Sequence, residues 1–420
     1  MTEAQTLPGP LAGLRILELA DEKGQFCGKL MGDLGADVIK IEPPGGEATR
    51  RVGPFLDDIP HPERSLSFWH YNTSKRGITL NLERADGRQL FRRLAAATDV
   101  ILETFPPGYL SALGLGYENL REQNPRLIMC ALTPFGQTGP WRDYMTSDLL
   151  HMAAGGQMAS SGYDEVDAPG APPIAPGGGN AWHMGCHYAY IAIMAALVSR
   201  TVTGRGQYID ASIHEACALT TEAAIPNYIY RHEVVRRHTG RHHAPGSTPR
   251  TQFRSKDGKY VTALVSGRLN PRYVKDLAEL LDSYGMAGDL KDAKYQDPKV
   301  IEAHRDHIIE ELVANFIANL PAEEVYHAAQ ACGFTWGAVR APEELVDDAH
   351  LHDRGFWKQV EHPELGRSFV YPGEAAIYNG SPWHIFRRAP LVGEHNQDIF
   401  CGELGLSLQE LSMLAENRVI

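Results

Sequence analysis

The sequence predicts an α/β chain, a doubly wound parallel sheet forming a large domain, with a smaller domain beside it. Short apolar runs alternate with helical patterns through the first half, and polar, glycine-rich text marks the ends of those runs. A hairpin signal followed by helical patterns after residue 250 predicts the smaller domain. With 420 residues the chain has ample length for two or three structural units. The expected division is 1–225 for the N-terminal part of the large domain, 226–330 for the small domain with its linkers, and 331–420 for a C-terminal part that returns to the large domain.

Taken in order, LRILELA (14–20) reads as a strand, 25–34 as a helix stopped by Gly35, and DVIKIE (37–42) as the next strand, which completes one βαβ unit. Further strands are expected at 78–82, 100–105 and 127–133, with a charged helix over 84–97 and a short one near 117–123. A sheet of this kind takes ligands at the carboxyl ends of its strands. The loops assigned to those ends include PPGGEATRR (43–51), NTSKRG (72–77) and TFPPG (104–108). Arg50-Arg51 and Lys75-Arg76 read as solvated surface, or as an anion site if the loops converge, since cations beside backbone amides suit phosphate. No GxGxxG follows the first strand, which argues against a dinucleotide cofactor.

The triple glycine at 177–179 feeds an apolar helix, NAWHMGCHYAYIAIMAALVSR, which ends before the TGRGQ turn, a strand at 208–212 and a helix from His214. Tyr188, Tyr190, Ile191, Ile193, Met194 and Leu197 make this helix apolar nearly all round, the pattern of core packing rather than a ligand groove. From 231 to 250 the text is basic and turn-rich; Arg236, Arg237, His232, His238, His242 and His243 read as a solvated, mobile loop. Asp257-Gly258 is the hairpin turn of a strand pair over 252–265. The chain closes on an amphipathic helix.

A formal net charge of −12 argues against nucleic acid and anionic membrane as partners. The six cysteines show no CxxC pair, the usage of reduced thiols in the cytoplasm. No signal peptide is read at the N-terminus and no membrane span along the chain, so a cytoplasmic, soluble protein is expected.

GLRILELA, GDLGADVIKIEPPGG, NTSKRGITLNL, DVILETFPPG, NPRLIMCALTPFGQTGPW, TGRGQYIDASIHEA and APLVGEHN, in this order and spacing, resemble the class III CoA-transferase family over nearly the whole chain. That family includes formyl-CoA transferase, the carnitine CoA-transferases, the α-methylacyl-CoA racemases and the succinyl-CoA:benzylsuccinate transferases. The resemblance implies the class III CoA-transferase fold, with two chains interlocked as rings. It implies a reaction in which a carboxylate attacks an acyl-CoA thioester and CoA passes to an acceptor acid through mixed anhydrides. It also implies CoA contacts at Lys75, Arg76, Thr104 and Phe105, with CoA as substrate and no permanently bound cofactor or metal. Pro43 and Thr104 stand where formyl-CoA transferase has Arg and Asn.

The chain departs from the family at one decisive place. From Ala168 through Ile209 there is no Asp or Glu, although the family keeps its nucleophilic Asp just ahead of this apolar helix. The vacated position falls at Asn180, Trp182 or His183. An amide cannot form the anhydride, Trp182 offers one N–H donor, and an acyl-imidazole on His183 would be a different, more hydrolysable intermediate. The resulting expectation is a nucleophile-deficient subunit working with a paralogous chain, with succinyl-CoA as the expected donor as in the benzylsuccinate type. The alternative is a homodimeric transferase with a displaced acid, Asp148 or Asp164. Ser147-Asp148 replaces the racemase His-Asp pair, which argues against stereoinversion. His183, Cys186 and His187 have helical spacing for zinc, but no third ligand stands out, and packed histidines are the expectation.

Overall fold

The computed structural model describes residues 8–164, 166–265 and 269–420. It divides into two compact units: one comprises the chain up to Gly155, Gly177–Thr220 and His350–Ile420, the other Gly156–Pro176 and Thr221–Ala349. The second unit therefore takes in a segment ahead of the apolar helix and runs past residue 330.

The first unit is organised by six parallel strands: β1 (Arg15–Leu19), β2 (Asp37–Glu42), β3 (Lys75–Thr79), β4 (Val100–Glu103), β5 (Ile128–Thr133) and β6 (Tyr208–Ser212), in the order β3-β2-β1-β4-β5-β6. The strand order reverses between β1 and β4, which is where such sheets open a ligand crevice. Helices α1 (Gln25–Asp33), α2 (Ala85–Ala95), α3 (Asp148–Ala154), α4 (Asn180–Thr203) and α5 (Ile213–Leu219) belong to the same unit. The central strands are buried on both faces, as a doubly covered parallel sheet requires.

Charge nevertheless lies inside this sheet. Glu18 on β1, Lys40 on β2 and Lys75 on β3 are all fully buried. The Glu18 carboxylate takes Lys40 Nζ at 3.1 Å and Lys75 Nζ at 2.7 Å. Lys75 also donates to Gln25 O and Asn72 Oδ1, and Lys40 to Ala20 O. Gly28 of α1 makes room for the carboxylate, because a Cβ there would stand 1.5 Å from Glu18 Oε2.

These ion pairs correct the expected strand at 78–82. The strand starts three residues earlier because Lys75 and Arg76, read as loop cations, are strand residues whose partners come from elsewhere in the chain. Asp37 grips Arg76 through Nε at 2.8 Å and Nη2 at 2.6 Å, and Glu403 takes Nη1 at 2.5 Å. Arg50, another expected surface cation, is buried with two contacts to Glu42 at 2.6 and 2.7 Å and one to Glu63 at 2.9 Å.

The second unit holds an antiparallel sheet of β7 (Gln252–Arg254), β8 (Tyr260–Ala263) and β9 (Trp336–Val339). Gly258, at φ 80°, takes the left-handed position of the predicted hairpin turn. Helices α6 (Pro271–Asp282) and α7 (Ala322–Ala331) cover a core around Phe253, Leu281, Phe316 and Trp336. Because β9 belongs here, the second unit extends to Ala349. Strands β10 (Trp357–His362) and β11 (Arg367–Pro372) then pair in the first unit, and α8 (Leu408–Glu416) closes the chain behind a Ser407–Glu410 capping box.

Contrary to the sequence expectation, α4 is long and apolar enough to cross a membrane. It is a core helix on one face only: Ala181, Gly185, Cys186, Ala189, Ile193, Ala196 and Arg200 are buried. Gly185 lets α4 approach α5, since a Cβ there would meet Ile213 Cγ1 at 2.8 Å. All-round burial does not hold, because Ile191, Val198 and Val202 on the outward face are 59%, 67% and 86% exposed.

Gly28→Ala should destabilise the protein by about 3 kcal/mol or more, since the methyl group must displace a buried carboxylate that two ammonium groups depend on. Urea unfolding checks this; an unchanged midpoint would show that the Glu18 cluster does not constrain α1.

Candidate functional site

The carboxyl edge at the strand reversal, where sheets of this kind take ligands, is formed by Ala20-Asp21 after β1 and Glu103-Thr104 at the end of β4. Thr104 Oγ1 spans it, accepting from Asp21 N at 3.1 Å and donating to Asp21 Oδ1 at 2.9 Å. Phe105 follows, its ring 4.6 Å from Tyr109. Gly24 precedes α1 at this edge and packs on Thr104, where a Cβ would lie 2.6 Å from Cγ2. The expected contacts Thr104 and Phe105 therefore stand at the carboxyl edge.

Lys75 and Arg76 do not join them. They begin β3, opposite Val38 and Ile39 of β2, and so lie toward the amino edge of the sheet. Lys75 is fully buried and Arg76 is held by Asp37 and Glu403. Their placement in a carboxyl-edge loop is corrected, and the physical reason is their internal carboxylate partners.

Sequence reasoning passed over Glu103, the last residue of β4. It is 5% exposed, and its Oε2 accepts from Phe105 N at 2.8 Å. Burial, with Asp210 nearby, pushes its carboxyl up to about 7 against the opposing pull of the Phe105 amide and Lys23. The only signal in the sequence was an acid ending an otherwise apolar strand.

The second focus is the start of α4. Gly179 sits ahead of it with φ 68° and offers no side-chain cap, and the first turn contains no acid. Asn180 turns its Nδ2 back to Gly177 O at 2.6 Å. Trp182 leans toward His151, with ring centroids 5.7 Å apart. His183 is stacked on Phe26 at 4.4 Å and its Nε2 shares a 2.8 Å hydrogen bond with Tyr71 OH. Burial, then His187, depresses the His183 imidazole, while burial raises the Tyr71 hydroxyl. Phe26 thus covers one face of the His183 ring and Tyr71 engages its Nε2.

This helix start is nonetheless supplied with an anion, a point the sequence had left empty. Asp148 opens α3 behind the Ser147 cap, and its Oδ1 accepts from Ala181 N at 2.8 Å. A carboxylate there satisfies a free amide and sits at the positive end of the helix dipole. Asp164, the other alternative acid, lies in the second unit, where its Oδ1 accepts from Val166 N and Asp167 N and closes a turn. With Arg236, Arg237 and His238 it lines a cavity of about 560 Å³. The zinc arrangement does not form at His183, Cys186 and His187: Cys186 Sγ turns to Lys23 O, and His187 Nδ1 to His183 O.

A six-stranded parallel sheet with a strand reversal, followed by a glycine-led helix capped by a carboxylate from another segment, defines a doubly wound α/β protein. Comparison narrows the class. The model of CoA-transferase family III matches residues 11–396. The chain is 32% identical to the succinyl-CoA–L-malate CoA-transferase beta subunit of Chloroflexus aurantiacus, with 98% of each chain covered. It is 30% identical to the BbsE subunit of succinyl-CoA:(R)-benzylsuccinate CoA-transferase of Thauera aromatica, over 94% of this chain and 95% of that one. Among solved structures, a CaiB/BaiF family protein from Brucella suis superposes with a TM-score of 0.79 at 28% identity, over 94% of this chain and 99% of that one. The protein belongs to CoA-transferase family III and is a CoA-transferase family enzyme.

Glu103 provides a pH test. The unfolded chain ionises near pH 4.5 and the folded chain near 7, so stability from the protonated carboxyl is full below about pH 4.5 and is lost as pH rises through 7. Against a Glu103→Gln variant, wild type should lose about 3 kcal/mol across that window. Parallel stability–pH curves would refute the buried neutral acid.

Proposed function

We propose that this chain is the nucleophile-deficient subunit of a hetero-oligomeric CoA-transferase that moves CoA from a small acyl-CoA, succinyl-CoA by preference, to a carboxylic acid. The absence of any carboxylate in the first turn of α4 carries this reading. It is supported by family membership and by two relatives named as subunits. The outward face of α4 adds support: exposed Tyr188, Ile191, Val198 and Val202 form an apolar stripe suited to a paralogous chain. In the assembly, a carboxylate of the paralogue attacks the thioester carbon and releases CoA thiolate, giving a mixed anhydride. The thiolate then attacks that anhydride, freeing the donor acid and leaving CoA on the paralogue as a thioester. The acceptor acid attacks this thioester in turn, and the released thiolate attacks the acceptor's own mixed anhydride. CoA leaves as the acceptor thioester and the carboxylate is regenerated. This chain would hold CoA at the carboxyl edge through Thr104, Phe105 and the start of α1, with Lys75 and Arg76 serving the fold. The assembly works in the cytoplasm, in keeping with free cysteines.

One observation favours a second reading. Asp148 is a partly exposed carboxylate already placed against the Ala181 amide, so a displaced nucleophile is geometrically available.

Purified alone, the chain should give no succinyl-CoA exchange above background; with a paralogue carrying Asp ahead of its matching helix, exchange should appear and survive Asp148→Asn here. Exchange by the lone chain that is lost in Asp148→Asn, retained in His183→Ala and accompanied by a hydroxylamine-sensitive acyl group on Asp148 would establish the displaced nucleophile instead.

A further inference from the structure

The second unit holds a cluster of ligating groups that the proposed function does not use. Glu222, His242 and His243 bring one carboxylate oxygen and two ring nitrogens within 4.8 Å of one another. Both rings address the same atom, Glu222 Oε2, from His243 Nε2 at 3.0 Å and from His242 Nε2 at 3.4 Å. The rings lie side by side, 4.6 Å apart and inclined by 33°.

His242 Nδ1 lies 2.9 Å from His243 O, an atom that can only accept, so Nδ1 donates and Nε2 is the ring nitrogen that faces Glu222. The Nδ1–H to carbonyl bond is also the outer contact that orients a metal-ligating histidine.

The backbone holds these groups in place. Glu222 adopts φ 53°, a left-handed conformation unfavourable for a residue with a side chain. Thr248 Oγ1 donates to His242 O at 2.8 Å, and the Arg241 guanidinium turns away to Ser247 Oγ and Thr248 O. Arg236 and Ala244 exchange two backbone hydrogen bonds. The segment expected as a mobile basic loop is thus a folded one that presents two adjacent imidazoles.

We propose that Glu222, His242 and His243 bind a borderline divalent transition metal, Zn²⁺, Co²⁺ or Ni²⁺, with solvent completing the coordination. Two imidazoles and one carboxylate suit these ions rather than Mg²⁺ or Ca²⁺, which take oxygen ligands. The ion would clip the basic segment to Glu222, where the chain re-enters the second unit, a role separate from CoA transfer.

The test uses the untagged full chain dialysed against Co²⁺. One Co²⁺ per chain with visible d–d bands is expected, displaced by Zn²⁺. Glu222→Gln and His243→Ala should each weaken binding by at least about a hundredfold, more than the loss of an outer-shell contact. Zn²⁺ should slow tryptic cleavage after Arg236, Arg237 and Arg241 in wild type but not in Glu222→Gln, which keeps its side-chain shape. Failure of wild type to retain Co²⁺, meaning a proton alone bridges Glu222 and His242, would overturn the proposal. So would equal retention by His242→Ala/His243→Ala.

Discussion

Much of the first unit depends on one buried carboxylate. Glu18 lies on β1 beside the strand reversal, and its two ammonium partners come from β2 and β3, so a single group fixes the relation of three adjacent strands. Replacing such a cluster by apolar residues can be neutral, but removing one member of it is costly, because the remaining charges are left without water. The cluster therefore works as a constraint on register more than as a source of stability. It also sets α1: Gly28 must face Glu18, which places Phe26, two residues earlier, against His183. The Glu18 cluster and the α4 start are thereby mechanically connected through one turn of helix.

The α4 start shows how local and tertiary requirements divide. Gly179, in the left-handed region, allows a sharp entry but provides no hydroxyl or carboxylate to cap the amides. The cap comes from Asp148, thirty-three positions upstream, through Ala181 N. Trp182 and His183 are held by rings from separate segments, His151 for one and Phe26 with Tyr71 for the other. The junction is crowded with aromatic groups, and the Asp148 carboxylate there is engaged by backbone.

The α/β class was legible because β1, β2 and α1 follow apolar patterns that burial dictates directly. The same reasoning failed at several charged residues that lie inside the fold. Lys75, Arg76 and Arg50 read as loop cations, since frequency favours solvent for a lysine or arginine, and nothing local reveals that Glu18, Asp37 and Glu42 wait across the sheet. Glu103 escaped notice for the same reason. At the candidate site, Thr104 and Phe105 were legible through the resemblance and now stand at the carboxyl edge. Asp148 was visible as an acid but not as the partner of Ala181, because a contact between α3 and α4 is tertiary information. That the first turn of α4 contains no acid could be read from sequence; that Asp148 caps it could not.

That cap bears on why the fold accepts a start to α4 without its own acid. A helix N-terminus with unmet amides is a liability in a packed junction, and a carboxylate in the first turn would serve both as cap and as reactive group. Here the two roles separate. Asp148 meets the electrostatic need of the helix from outside, so the first turn can carry Asn180, Trp182 and His183 without leaving a bare dipole end. The segment can then carry a wall of aromatic and imidazole side chains. The proposed function asks for such a scaffold, one that holds its helix start without a carboxylate in the first turn.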